Sequence, residues 1–373
     1  MGPALTPFQI EVPDADLEDL RRRLKRTRWP EPETVADWSQ GAPLAYVQEL
    51  CAYWADGYEW RATEARLNAV PQFRTEIDGL GIHFLHVRSP HPGAMPLLMS
   101  HGWPGSVVEF LDVIGQLTDP PDPADAFHLV CPSLPGHGFS DRPAESGWTA
   151  ERTAAAWAEL MRRLGYERYA AHGVDWGSFI TAIMGESDDG RLAGVHVTMP
   201  FAQAPEEQVQ LDERDYAGLA RLKEFREQEN GYSVIQTTRP QTLGYGLTDS
   251  PAGQLAWMAE KYWAWSDHDG DLEKAISRDR LLDSVSVGWF AGTAASSARI
   301  YWESQNRLKL GPVPVPAAIS NFPKDGRMPR PWIEGRFTDI RRWRDHDAGG
   351  HFPALEQPGV LVDELRTFFR TLR

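Results

Sequence analysis

The sequence predicts an α/β fold: a mostly parallel central sheet with helices on both faces, interrupted by a helical insertion and preceded by an extension. Three observations predict it. From Pro96 onward, short apolar runs end in glycine-rich turns and lead into helical patterns, as parallel strands joined by crossovers do. One such turn, Gly173-Val174-Asp175-Trp176-Gly177, has glycine on either side of a polar centre, as a sharp strand-to-helix bend requires. Between Phe201 and about Arg307 the alternation lapses into helical segments rich in Trp and Tyr, after which strand character resumes.

In chain order, residues 14–29 have helical spacing with Leu17, Leu20 and Leu24 on one face and Asp14 at the N-cap. A second helix is expected over Leu44–Trp60. The segment Phe73–Val87 holds two partly alternating runs around Asp78-Gly79-Leu80-Gly81, a hairpin that should open the sheet. Leu97–Ser100, Phe127–Cys131, Tyr169–Gly173 and Val195–Met199 are the candidate strands that follow. Helices over Leu211–Asn230 and Gln254–Trp265 belong to the insertion, and Val313–Ser320 returns to the sheet. The proline-rich Asp119–Asp125 is short enough for a surface loop, and no internal repeat stands out. The expected division is an extension over 1–90 leading into the first hairpin, core over 91–200, a helical lid over 201–307 and core again over 308–373.

With 373 residues, 42% of them hydrophobic, the chain can bury a sizeable core. Its 53 acidic against 38 basic side chains leave a net charge of −15, the wrong sign for binding a phosphate backbone. Cys51 and Cys131 lie far apart in apolar stretches, which argues against a disulfide framework or a zinc site and fits a reducing, cytoplasmic setting. Residues 1–8 pass into a polar helix pattern without the apolar run of a signal peptide or membrane anchor. Met1-Gly2 is a poor myristoylation signal beside Pro3.

The segment Tyr169–Ser178 has the form of a nucleophile elbow, with Asp175 at its centre where a serine is usual. At a helix N-terminus an aspartate is held in its charged form, ready to attack. A carboxylate that attacks an sp³ carbon forms an alkyl ester whose carbonyl belongs to the enzyme, so water must attack that carbonyl and oxyanion donors must face Asp175. Alone, this turn reads equally well as a capping aspartate. His101-Gly102-Trp103-Pro104-Gly105-Ser106 follows a strand, where α/β-hydrolases place the oxyanion loop, so the backbone amides of Trp103 and Trp176 are the candidate donors.

The chemistry also needs a base and an acid to orient it. His351, in Ala348-Gly349-Gly350-His351-Phe352 near the C-terminus, is the candidate base. His101, His137 and His172 sit in turn or elbow motifs, where backbone shape accounts for them. Asp325 is the first carboxylate after Val313–Ser320 and fits the order nucleophile, acid, histidine, with Glu334 and Asp339 as competitors.

Nearly the whole chain resembles the microsomal-type epoxide hydrolases of the α/β-hydrolase superfamily, including their N-terminal extension. The motifs that carry the resemblance are His101–Ser106, Pro135-Gly136-His137-Gly138-Phe139-Ser140, Gly173–Ser178 and Gly349–Phe352, in the family's order and approximate spacing. Pro7-Phe8, Tyr53-Trp54 and Phe73–Val87 look similar too. The resemblance implies that Tyr232 and Tyr301 give protons to an epoxide oxygen, and that Asp325, in Phe322-Pro323-Lys324-Asp325, is the orienting acid. Tyr245 and Tyr262 have no such match. It implies a small-molecule epoxide as partner and leaves room for a homo-oligomer; the chemistry needs no cofactor or metal, the net charge argues against nucleic acid, and no membrane is expected because, unlike in the family's membrane-anchored namesakes, no apolar helix precedes Pro7.

The same Asp-Trp elbow occurs in haloalkane dehalogenases, which have no need of a tyrosine pair. A serine esterase is disfavoured because Ser178 lies inside the helix. A catalytically silent ligand-binding protein of this fold is disfavoured by the apparently complete set of Asp175, Asp325, His351, Tyr232 and Tyr301.

Overall fold

Two-residue turns with both φ angles positive suit tight hairpins, and Asp78 (φ 51°) and Gly79 (φ 77°) make one here. They join β2 (Gln72–Ile77) to β3 (Leu80–Val87) in the computed structural model, which describes residues 5–373. Met1-Gly2 therefore lies outside the described residues. The remaining strands are β1 (Thr6–Phe8), β4 (Met95–Ser100), β5 (Phe127–Pro132), β6 (Tyr169–Gly173), β7 (Leu192–Val197), β8 (Ala317–Asn321) and β9 (Ile340–Asp345). Among the described residues they form one nine-stranded sheet in the order β1-β2-β3-β5-β4-β6-β7-β8-β9, antiparallel as far as the β3–β5 pair and parallel beyond it.

Side chains alternate between two apolar layers along the inner strands. Leu97, Leu129 and Ala170 pack with Val113 and Leu117 of α4 (Leu111–Thr118) and with Leu361 and Leu365 of a C-terminal helix, Pro358–Arg370. Leu98, Val130 and Ala171 pack with Trp157 and Leu160 of α5 (Ala150–Arg163) and with Ile180 and Ile183 of α6 (Trp176–Glu186). Both faces of the sheet are thus covered, which is why its parallel strands are apolar throughout.

Before the hairpin come α1 (Asp14–Lys25), α2 (Leu44–Asp56) and α3 (Trp60–Asn68). Between β7 and β8 come six α-helices: α7 (Glu213–Glu224), α8 (Gly231–Thr238), α9 (Pro240–Asp249), α10 (Pro251–Trp265), α11 (Arg278–Phe290) and α12 (Ala294–Ser304). The extension grips two of them. Trp54 of α2 donates to Ser286 Oγ of α11 at 2.9 Å, Tyr58 to Asp283 Oδ1 at 2.8 Å, and Trp38 stacks on Trp263 of α10 at 4.1 Å. Among the described residues no helix is long and apolar enough to cross a membrane.

Several expectations need correcting. Pro13 occupies the cap of α1, and Asp14 instead pairs with Arg61. The single helix expected over Leu44–Trp60 stops at Gly57, and Trp60 begins α3. The hairpin does not open the sheet, because β1 adds an edge strand against β2. The strand expected over Val195–Met199 lies earlier, at Leu192–Val197. The helix expected over Leu211–Asn230 starts at Glu213, after a capping box between Asp212 and Asp215, and widens into a π turn at Phe225–Glu229. Pro312, Pro314 and Pro316 lack ladder donors, so Val313 makes only a lone bridge and β8 starts at Ala317.

Trp54 is 2% exposed and joins two segments distant in sequence. Trp54→Ala is expected to cost about 3–5 kcal/mol. The check is a lower denaturant midpoint at unchanged slope.

Candidate active site

Strands β4 and β6 are neighbours, but the chain leaves them in opposite directions across the sheet, β4 toward β5 and β6 toward β7. Their carboxyl ends therefore flank a crevice, the usual site position in open α/β sheets. Ser100 pairs with Gly173, which sets the loop after β4 beside the turn after β6.

Asp175 stands in that turn with φ 50° and ψ −125°, a conformation that ordinarily favours glycine. The packing forces it. A Cβ on Gly173 would lie 2.0 Å from the Gly177 carbonyl oxygen, and one on Gly177 would lie 2.0 Å from that of Ser100. Ser178 Oγ donates to the Gly173 carbonyl at 2.7 Å, pinning the bend from inside α6.

The Trp103 N–H donates to Asp175 Oδ1 at 2.7 Å. Gly102 is needed for that approach, since a Cβ there would sit 2.0 Å from Oδ1. The Trp176 N–H opens α6, where a helix offers its first amides no carbonyl. His101 hydrogen-bonds the Gly102 carbonyl through Nδ1 and accepts from Leu134 N at Nε2, and His137 Nδ1 meets the Pro135 carbonyl. Burial lowers both, to about 3 and about 4, so they shape backbone as neutral rings.

His351 reaches the crevice from the loop after β9. Its Nδ1 is 2.9 Å from Asp325 Oδ1 and its Nε2 is 3.5 Å from Asp175 Oδ2. Burial opposes charge on this ring, but Asp325 and Asp175 together outweigh burial and hold it well above the usual histidine range. Asp325 lies in the turn after β8, where its Oδ1 also accepts from Gly326 N at 2.8 Å. Its competitors face elsewhere: Glu334 pairs with Arg330 and Asp339 with Arg341.

Tyr232 of α8 and Tyr301 of α12 close the crevice from above, their rings edge to face at 5.7 Å. Tyr232 stacks on Trp103 at 5.2 Å, and Tyr301 meets the Trp176 ring at 5.0 Å. Burial and then the nearby charge of Asp175 raise Tyr232; burial, Tyr232 and Asp175 raise Tyr301. Both phenols therefore keep their protons. Tyr245 is exposed, and Tyr262 stacks on Phe352 at 4.3 Å.

Five residues around the site escaped sequence reasoning. Lys261 is buried, with Nζ 4.5 Å from the Tyr232 ring centroid. Trp265 takes the His351 amide on its carbonyl and packs against the imidazole at 4.8 Å. Glu356 accepts from the amides of Phe352 and Asp267, and Asp267 accepts from Gly349, a chain that fixes the His351 loop. Only the placement of Glu356 a helical turn beyond Phe352 gave any signal. Glu109 is a further buried carboxyl near the site, and nothing in its local pattern marks it.

Two family models match the chain. One, described as the epoxide hydrolase N terminus, covers residues 5–110, and one for the alpha/beta hydrolase fold covers 95–245. A Stigmatella aurantiaca protein is 50% identical over 99% of this chain and 86% of its own length. Epoxide hydrolase 1 of Sus scrofa is 32% identical over 99% of this chain and 89% of its own. The Aspergillus niger epoxide hydrolase structure superposes with a TM-score of 0.91 at 33% identity, covering 99% of this chain and 97% of that one.

Because Asp175 is one of two anions that favour the imidazolium form of His351, Asp175→Asn is expected to lower the His351 pKa. An NMR titration of the imidazole reads this directly, and an unchanged midpoint would show that Asp175 exerts no such pull.

Proposed function

The chain belongs to the microsomal-type epoxide hydrolases of the α/β-hydrolase fold, and from that premise we propose that it opens a small-molecule epoxide to a vicinal diol through an ester on Asp175. The observation that carries this reading is His351 set between Asp175 and Asp325 while Trp103 N–H holds Asp175 Oδ1. In this reading Asp175 Oδ2 bonds to an epoxide carbon as the ring C–O bond breaks, and the freed oxygen takes a proton from the pair Tyr232 and Tyr301. An alkoxide is far more basic than an ordinary phenol of pKa about 10; burial and Asp175 raise both phenols and narrow that gap, and neutralising Asp175 in the ester lifts part of that penalty.

Esterification removes the Asp175 charge, and with it part of what holds a proton on His351. The neutral ring, oriented by Asp325, then takes a proton from water. Water oxygen adds to Asp175 Cγ, and negative charge builds on Oδ1, which the Trp103 amide already holds, with the Trp176 amide as the second donor of this reading. The Cγ–Oδ2 bond breaks, and the diol leaves with Oδ2 and the proton from His351. The acid regenerated at Asp175 gives up its proton and restores the phenol. No metal or organic cofactor enters this sequence. A cytoplasmic setting belongs to the same reading, supported by two buried free cysteines.

His351→Gln protein exposed to separate panels of epoxides and haloalkanes should gain the mass of a whole epoxide, mapped to Asp175. A gain of an alkyl group from haloalkanes alone would favour dehalogenation, and no adduct from either panel would sink the covalent route. Replacing Tyr232 and Tyr301 together by Phe should slow ring opening by roughly 10²–10⁴-fold.

A further inference from the structure

Glu109 lies in a short 3-10 turn, Val107–Phe110, just after the loop that carries Trp103. It is 2% exposed, and its Oε1 has no hydrogen-bond partner among the described residues. A buried carboxyl left unpaired is costly, so its presence calls for a reason. Its carboxyl rests against Gly105, two residues past the donor to Asp175. A Cβ built on Gly105 would come within 3.1 Å of Oε1 and 3.2 Å of Oε2.

On its other side the turn packs against the short helix Pro353–Glu356, which begins two residues after His351. Burial, opposed by His351 and assisted by Asp175, pushes the Glu109 carboxyl up to about 8. The other titratable groups that sense it are Cys131 of β5 and Tyr262 of α10. One face of Asp175 is closed by backbone, since a Cβ on Gly102 would lie 2.5 Å from Cγ. Water must come from the side of His351.

We infer that Glu109 positions the hydrolytic water, accepting a hydrogen bond at Oε1 while the water's other hydrogen points to His351 Nε2 and its lone pair to Asp175 Cγ. The inference rests on the alkyl-enzyme reading. His351 takes one proton, the second O–H bond stays intact on Glu109, and the new bond forms at Cγ; Glu109 neither gains nor loses a proton.

Single-turnover reactions of wild type, Glu109→Gln and Glu109→Leu with styrene oxide separate ester formation from ester hydrolysis. In Glu109→Leu the ester should form within about twofold of the wild-type rate and hydrolyse at least about tenfold more slowly, with kcat and KM falling together. Glu109→Gln, which keeps an oxygen acceptor, should lie between. The Leu variant should melt no lower than wild type, whereas a merely structural role would lower Tm and slow both steps. If Glu109→Leu does not fold, Gly105→Ala crowds Oε1 without removing it and should slow hydrolysis alone. Ester cleared at the wild-type rate by both variants overturns this inference only. No ester on the wild-type protein overturns the alkyl-enzyme reading beneath it.

Discussion

Asp325 at Nδ1 and Asp175 at Nε2 meet a single imidazole in a space almost closed to solvent. Burial alone would strip the proton from His351; two anions restore it. The arrangement is stable only while both anions persist, which makes it responsive to chemistry at either end. On the proposed reading, covalent attachment at Asp175 itself converts a charged ring into a neutral base. The trigger for the second half of the reaction is then the completion of the first, with no moving part required.

Holding those charges still falls to backbone. Asp175 is strained at positive φ, and the glycines at 102, 173 and 177 are the only residues whose backbones can come as close as the turn demands. On the far side, Asp267 and Glu356 tie the His351 loop through main-chain amides. Precision comes from close-packed main chain on the strands, while the helices above supply the phenols, the aromatic walls and the Trp265 carbonyl that holds the His351 amide.

How much of this was legible in the sequence depends on whether the determinant is local. The elbow, the hairpin at Asp78-Gly79 and the apolar inner strands are set by steric rules within a few residues, and they read out directly. The triad order was legible because the topology of the fold delivers its residues in sequence. β9 was not, since Ile340–Asp345 is an edge strand rich in Arg, with no apolar run to betray it. Lys261 and Glu109 were equally silent, because what distinguishes a buried charge from a surface one is what packs around it, and those neighbours come from elsewhere in the chain. Tyr232 and Tyr301 needed the family resemblance for the same reason: ten tyrosines look alike until helices cross.

The grip of the extension on α10 and α11 has a consequence for biosynthesis. Trp54 is 232 residues ahead of its partner Ser286, and Tyr58 is 225 ahead of Asp283. At roughly 5–20 residues per second of translation, the segment carrying Trp54 and Tyr58 waits on the order of 10–50 s before the surface that covers it leaves the ribosome. Through that interval Trp54 and its apolar neighbours have no native cover from α11. Trp54 and Tyr58 are therefore secured late in synthesis, long after the helices around them have been made.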